Sequence, residues 1–298
     1  MSKNVVVSGA SGLLGVALRS ALSDRGDVVA ALQRTPEGGG AIWNPADGEL
    51  DPAVLEGCDA VVNLNGAGIG DARWSDGRKK LLRTSRIGPT ALLADTIAQL
   101  DNPPAVFVSA SAIGIYGDRG DEELTEASPD GDDFLASLCV EWEAAAEPAG
   151  LAGVRVVHPR TGIVLASDGG ALAPLIPIFK MGIGGPIAGG RQWWSWITLR
   201  DMVDALLFMI DSDIDGPVNC VSPNPVRQRA FAEALGAQLN RPAVVPAPRF
   251  AVQARLGKEL ANAVAFGSQR VVPAALTAAG FAFEDPDLPA ALGAVFDG

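Results

Sequence analysis

The stretch GASGLLG at residues 9–15 spaces three glycines as GxxGxxG between a short β-branched run, VVV at residues 5–7, and a helical pattern. The chemistry that suits this spacing is phosphate binding. Gly9 lets the chain turn tightly, Gly12 lets a pyrophosphate approach the backbone, and Gly15 lets helix and strand pack closely. The helix start around Ser11, Leu13 and Leu14 then offers free N–H groups and the positive end of a dipole. The next apolar run, VVAALQR, ends in Gln33 and Arg34, with no acidic residue before Glu37. An acid at such a strand end serves the ribose hydroxyls of NAD, whereas an arginine accommodates a 2′-phosphate, so the expected cofactor is NADP.

Further along, SAIGIYG carries Ser111 and Tyr116, the only tyrosine of the chain. A phenol is a candidate proton donor for hydride chemistry when a neighbour lowers its pKa from about 10. Ser111 falls at a strand's carboxyl end, where a serine can satisfy local backbone. Leu64 and Asn65 in NLNGAG, Arg86 in the following helix, Ser109, and Val164 after a later strand fall at the sheet edge where ligands bind in such folds. The run GRQWWSWI places Arg191 beside Trp194 and Trp196. Alternation puts these two indoles on one face, either as inter-lobe packing or as an aromatic wall, with Arg191 suited to an anionic substrate group.

The elements that must position these residues alternate. Apolar strands at 28–34, 59–66 and 105–111 are separated by helical patterns such as KKLLRTSRIGPTALLADTIAQL, and DFLASLCVEWEAAAEPAG precedes the strand GVRVVHPRTGIVL. Continuous apolar strands alternating with helices predict an α/β fold, a Rossmann-type doubly wound parallel sheet. A proline- and glycine-rich zone near Pro174 marks a smaller, mostly helical C-terminal lobe. The expected division is 1–170 with 191–221 as the NADP-binding domain, and 171–190 with 222–298 as the small lobe.

The 298 residues carry a formal charge of −12, which argues against nucleic acid or an anionic membrane as partner and leaves a small-molecule substrate. Three scattered cysteines and a single histidine supply no metal cluster, so none is expected. Cysteine usage and the lack of a targeting or spanning segment read as cytoplasmic; a homodimer stays open.

Taken together, GASGLLG, NLNG, the SAS…YG stretch and R…SWITLRD resemble the extended short-chain dehydrogenase/reductases, which include sugar-nucleotide epimerases and dehydratases. RTGIVL, GRQWWSWI, GPVNCVSPNPV and SQRVVP narrow the resemblance to an atypical branch of epimerase-family, NAD-dependent epimerase/dehydratase-like proteins with a short C-terminal extension. It covers essentially the whole chain and implies an NADP(H)-binding oxidoreductase or epimerase-like enzyme with Tyr116 at its site and Ser111 where the family's serine or threonine hydrogen-bonds the substrate oxygen, polarising a carbonyl. Members of the wider family carry a tyrosine four residues before a lysine, whose ammonium lowers the phenol pKa. Here Gly120 follows Tyr116 at that spacing, and the helical pattern DFLASLCVEWEAAA offers Phe134 with Leu138 or Leu135 with Cys139. The dyad is absent, so a cofactor-binding sensor or interaction protein without chemistry is the rival reading.

Overall fold

The computed structural model describes residues 2–35 and 40–297; Glu37 lies outside them. The chain begins with β1 (Asn4–Ser8), α1 (Leu13–Asp24) and β2 (Val28–Gln33), followed by β3 (Ala41–Ile42) and β4 (Ala60–Asn63). Helices α2 (Asp76–Thr84) and α3 (Ile87–Ile97) lead to β5 (Val106–Ser109), β6 (Ser111–Ala112) and a 3-10 turn at Ile113–Tyr116. Then come β7 (Glu123–Leu124), α4 (Phe134–Ala144), α5 (Glu147–Leu151), β8 (Arg155–Thr161) and β9 (Ile163–Leu165).

The pattern at 79–100 folds as two helices because Pro89 has no N–H and its ring would strike the carbonyl of Ser85 in a continuous helix. Starting α3 at Ile87 puts that proline in the first turn, where its missing donor costs nothing. Pro148, at the start of α5, divides the next helical stretch for the same reason.

The remaining elements are α6 (Ile176–Lys180), β10 (Trp193–Trp194), β11 (Trp196–Thr198), α7 (Leu199–Asp211), β12 (Gly216–Cys220) and β13 (Val226–Arg227). They continue with α8 (Gln228–Gln238), α9 (Arg249–Leu256), α10 (Lys258–Leu260), β14 (Arg270–Val271), α11 (Ala274–Ala278) and α12 (Leu288–Asp297).

The main sheet runs β3-β2-β1-β4-β5-β8-β12, all parallel, with β6 paired to β8. The order reverses between β1 and β4, the arrangement expected of a doubly wound sheet. Alternate side chains divide between two cores. Val5, Val7, Val62 and Val108 pack with Leu18, Leu22, Met202 and Leu206 of α1 and α7, while Val6, Val61 and Phe107 pack with Leu93, Ile97 and Ala149 on the other face. Each such buried aliphatic side chain contributes about 1.5–3 kcal/mol. A third core joins β9–β11 to α8 and α12 through Leu165, Trp194, Trp196, Phe231, Leu235 and Leu292. No described helix is long and apolar enough to cross a membrane.

Candidate functional site

One ladder row, Leu32, Ser8, Asn63 and Ser109, crosses the carboxyl edge of the sheet from β2 to β5. The glycine loop rises from it at the switch point. Gly9 adopts φ +71°, and a Cβ there would lie 2.5 Å from the Leu64 carbonyl oxygen; a Cβ on Gly15 would overlap the Gly9 carbonyl. These two glycines are therefore demanded by the protein itself. Gly12 is different: it is exposed, has φ −77° as the N-cap of α1, and a Cβ would meet only the Gly9 oxygen at 3.4 Å. The space above Gly12 is left open by the fold. Among the described residues no side chain caps α1, and its first turn holds no acid, so the N–H groups of Leu13 and Leu14 face that space without a described acceptor. Free helix-start donors above a glycine that the packing does not need suit a pyrophosphate. Ser11 is exposed beside them.

Around this loop, Arg34 stands exposed just past β2, next to half-buried Gln33. Asn65 donates to Ser8 Oγ (2.6 Å) and Asn63 Oδ1 (2.7 Å), and Asn63 donates to Thr90 Oγ1 (2.7 Å), so the turn after β4 is locked in place. Leu64 and Val164 are partly buried against the α1-side core. Arg86 is 7% exposed, lies 5.0 Å over the Trp142 ring and sits against Gly66. Burial brings its guanidinium down to about 10, still charged at neutral pH. Ser109 is fully enclosed, and its hydroxyl has no described partner. At this end of β5 its side chain is turned into the sheet–helix layer, which leaves the backbone as the part of Ser109 at the carboxyl edge.

Where a tyrosine–lysine dyad would stand, α4 and β8 build a closed polar cluster. Arg160 pairs bidentately with Glu143, Nε to Oε1 and Nη2 to Oε2, both at 2.9 Å. Ser111 Oγ donates to Glu143 Oε1 at 2.6 Å. Burial opposes the Glu143 charge, but Arg160 and Ser111 outweigh it and hold the carboxyl below its usual range. An ionised carboxylate only accepts, so the one proton of Ser111 is committed to it. The expectation that Ser111 polarises a carbonyl is corrected for this geometry: toward a ligand the hydroxyl offers lone pairs.

Tyr116 is fully buried; its hydroxyl donates to Asn219 Oδ1 (2.7 Å) and accepts from Arg160 Nη1 (3.0 Å). Burial pushes the phenol above its ordinary pKa despite the Arg160 charge. Its expected role as a proton donor is corrected, because both hydrogen-bonding functions are spent inside the protein. Cys139 is buried beside this cluster, and burial and the Glu143 charge push its thiol up to about 12, which makes it inert.

The tryptophan run divides unexpectedly. Trp194 packs edge-on to Phe231 at 5.0 Å, and Trp196 is fully buried with its indole N–H on the Asn224 carbonyl. Their expected role as a substrate wall is corrected: the shared face points into the third core. Trp193 takes the outer face, stacked under Arg227 (4.2 Å) and Arg270 (5.1 Å). Arg191 lies exposed in a groove of about 790 Å³ with Arg227, Arg229 and Arg249. Of these only Arg227 has a described carboxylate partner, Asp121 at 2.7 Å. Arg249 and Phe266 also line an adjoining cavity of about 470 Å³ that reaches Gly114, Phe134 and Leu135. Sequence reasoning missed Glu143, Arg227, Arg229 and Arg249. The alternation of Arg227 and Arg229 beside the tryptophan strand was the available signal for two of them.

Residues 5–220 match the NAD dependent epimerase/dehydratase family, and residues 247–295 match a domain of unknown function, DUF1731. The chain is 42% identical to the Epimerase family protein ML0860 of Mycobacterium leprae over 97% of this chain and 94% of that protein. It is 36% identical to the Epimerase family protein SDR39U1 of Homo sapiens, over 97% and 98% of the two chains. Among solved structures, human SDR39U1 (isoform 2) with NADPH superposes with a TM-score of 0.91 at 34% identity, covering 99% of both chains. MoeE5 with UDP-glucuronic acid and NAD shares the fold, with a TM-score of 0.76 at 19% identity over 97% of this chain and 96% of that one.

Proposed function

The chain belongs to the NAD dependent epimerase/dehydratase family, and from that premise we propose that it is an NADP(H)-binding oxidoreductase or epimerase-like enzyme that works without a tyrosine–lysine dyad. The observation that carries the cofactor reading is the open space above Gly12, faced by the unsatisfied N–H groups of α1. Gly9, Gly12, Gly15, Leu13 and Leu14 would hold the pyrophosphate, and Arg34 the 2′-phosphate. The NADPH bound to human SDR39U1 agrees with this choice. When bound, the coenzyme supplies hydride transfer; the chain supplies orientation and exclusion of water.

The substrate is a small anionic molecule. Its charged end fits the groove of Arg191, Arg229 and Arg249, and its reacting end fits the adjoining cavity beside Phe134 and Leu135. A catalytically silent NADP(H) sensor is the second reading, favoured by one specific observation: the protons of Ser111 and Tyr116 are both committed internally.

Titration with NADPH and NADH tests the cofactor assignment. Arg34→Ala is expected to lower the NADPH-to-NADH affinity ratio by about tenfold or more, the size of one lost charge-assisted phosphate contact. An unchanged ratio removes Arg34 from the assignment. Hydride exchange from bound NADPH to any anionic ketone would exclude the sensor.

A further inference from the structure

Arg86 is a buried cation with no carboxylate in contact among the described residues. Its guanidinium donates to the Leu82 carbonyl (3.2 Å) and, at 3.5 Å, to Ser85 Oγ. Among the described residues no carboxylate lies within 4.0 Å of it. Such a charge is costly to bury unless something compensates it. The Trp142 face, 5.0 Å away, is one compensation, and it ties Arg86 to α4, the helix on which a dyad lysine would stand. On the other side the guanidinium touches the turn after β4: a Cβ on Gly66 would come within 2.8 Å of Cζ. Arg86 thus spans the gap between the sheet edge and α4.

Its position relative to the switch point says which half of a dinucleotide it serves. The order reverses between β1 and β4, and each half of the sheet takes one mononucleotide. Arg34, past β2, stands on one side; Arg86, after β4 and against α4, stands on the other, the nicotinamide side. We propose that Arg86 is the fixed cation of the nicotinamide half, standing in for the absent lysine ammonium, and that it biases the bound coenzyme toward its reduced form. This rests on the cofactor reading above.

The physical reason is a difference of charge. The oxidised nicotinamide ring carries a positive charge and the reduced ring carries none, whereas the phosphates are the same in both. A desolvated guanidinium near the ring repels only the oxidised form. A guanidinium acting on a phosphate favours both forms alike, and its effect cancels in their ratio. The nearby charges are otherwise paired or absent: Arg78 is joined to Asp71 at 3.3 Å, Glu143 is taken up by Arg160, and the Cys139 thiol stays neutral.

The test measures dissociation constants of the full-length protein for NADPH and NADP⁺ by calorimetry. Wild type is expected to bind NADPH about tenfold tighter, and Arg86→Gln to narrow that ratio about fivefold or more, in the usual range of coupling between two sites. Arg86→Lys is expected to keep most of the ratio, because it keeps the charge. Arg86→Met, which suits a desolvated niche, carries the same expectation as Gln should the amide not fold. A ratio unchanged in both neutral variants, with both affinities falling together, assigns Arg86 to a phosphate and overturns the proposal; so does a wild type that prefers NADP⁺. If wild type binds neither coenzyme, the cofactor reading fails, and this proposal with it.

Discussion

The glycine loop and the α4–β8 cluster face the same edge of the sheet yet are built on opposite plans. At the loop, the protein leaves donors unsatisfied and space unfilled: Gly12 has room above it, and the N–H groups of Leu13 and Leu14 have no described acceptor. At the cluster, every polar group is matched. Glu143 takes Arg160 and Ser111, and Tyr116 takes Arg160 and Asn219. An unsatisfied but solvent-facing donor set is a binding site in waiting, whereas a fully matched buried network is chiefly a rigid support. The contrast teaches that one sheet edge can hold both an open donor set and a self-satisfied network, the second standing where the wider family carries its tyrosine–lysine pair.

The sharpest way to break this comparison is inside the glycine loop. Gly12→Val is expected to weaken NADPH binding by about 100-fold, the loss of roughly two charge-assisted bonds, while the melting temperature barely moves. Gly15→Val is expected to lower the melting temperature by about 10 °C or more, because its side chain would overlap the Gly9 carbonyl. If both variants melt alike, the distinction between a glycine needed by the fold and one needed by the ligand fails.

A smaller effect is expected at the cluster. Glu143→Ala strands the Arg160 charge and should cost about 3–5 kcal/mol in denaturant unfolding. If the cluster is support alone, the surviving folded fraction keeps its NADPH affinity.

The mildest effect is in pH. His158 is half-buried with Nδ1 3.3 Å from the Ser109 carbonyl, and burial pulls its pKa below 6.5 even though Glu143 opposes this. A folded pKa below the unfolded one means that the unfolded chain gains its proton first. Stability is therefore fully present above pH 6.5 and falls as the pH drops toward the folded value. Glu143, also depressed, adds its own loss at lower pH, below the ordinary carboxylate value of 4.5. Melting curves between pH 8 and 5 should show the first decline, and His158→Gln should flatten it.

Much of the architecture was legible. Alternating apolar strands and helical periods specified the doubly wound sheet, and glycine spacing located the tight turn between β1 and α1, since both signals lie within a few residues. The tryptophan run shows where legibility ends. Alternation correctly put Trp194 and Trp196 on one face, but period alone says nothing about which face is covered. That was decided by Phe231 of α8 and the neighbouring helices, far along the chain. Trp193, on the opposite face, became the one stacked with arginines.

By itself, then, the sequence determined a doubly wound parallel sheet, a glycine turn before α1 with an arginine after β2, and the absence of the tyrosine–lysine spacing. These depend on local steric rules and on residue types. Only the tertiary structure decided that Tyr116 and Ser111 are bound into a cluster with Glu143 and Arg160, and that Arg86 lies desolvated against α4. Each of those facts is a contact between segments distant in sequence, and burial and pairing exist only once the chain has packed.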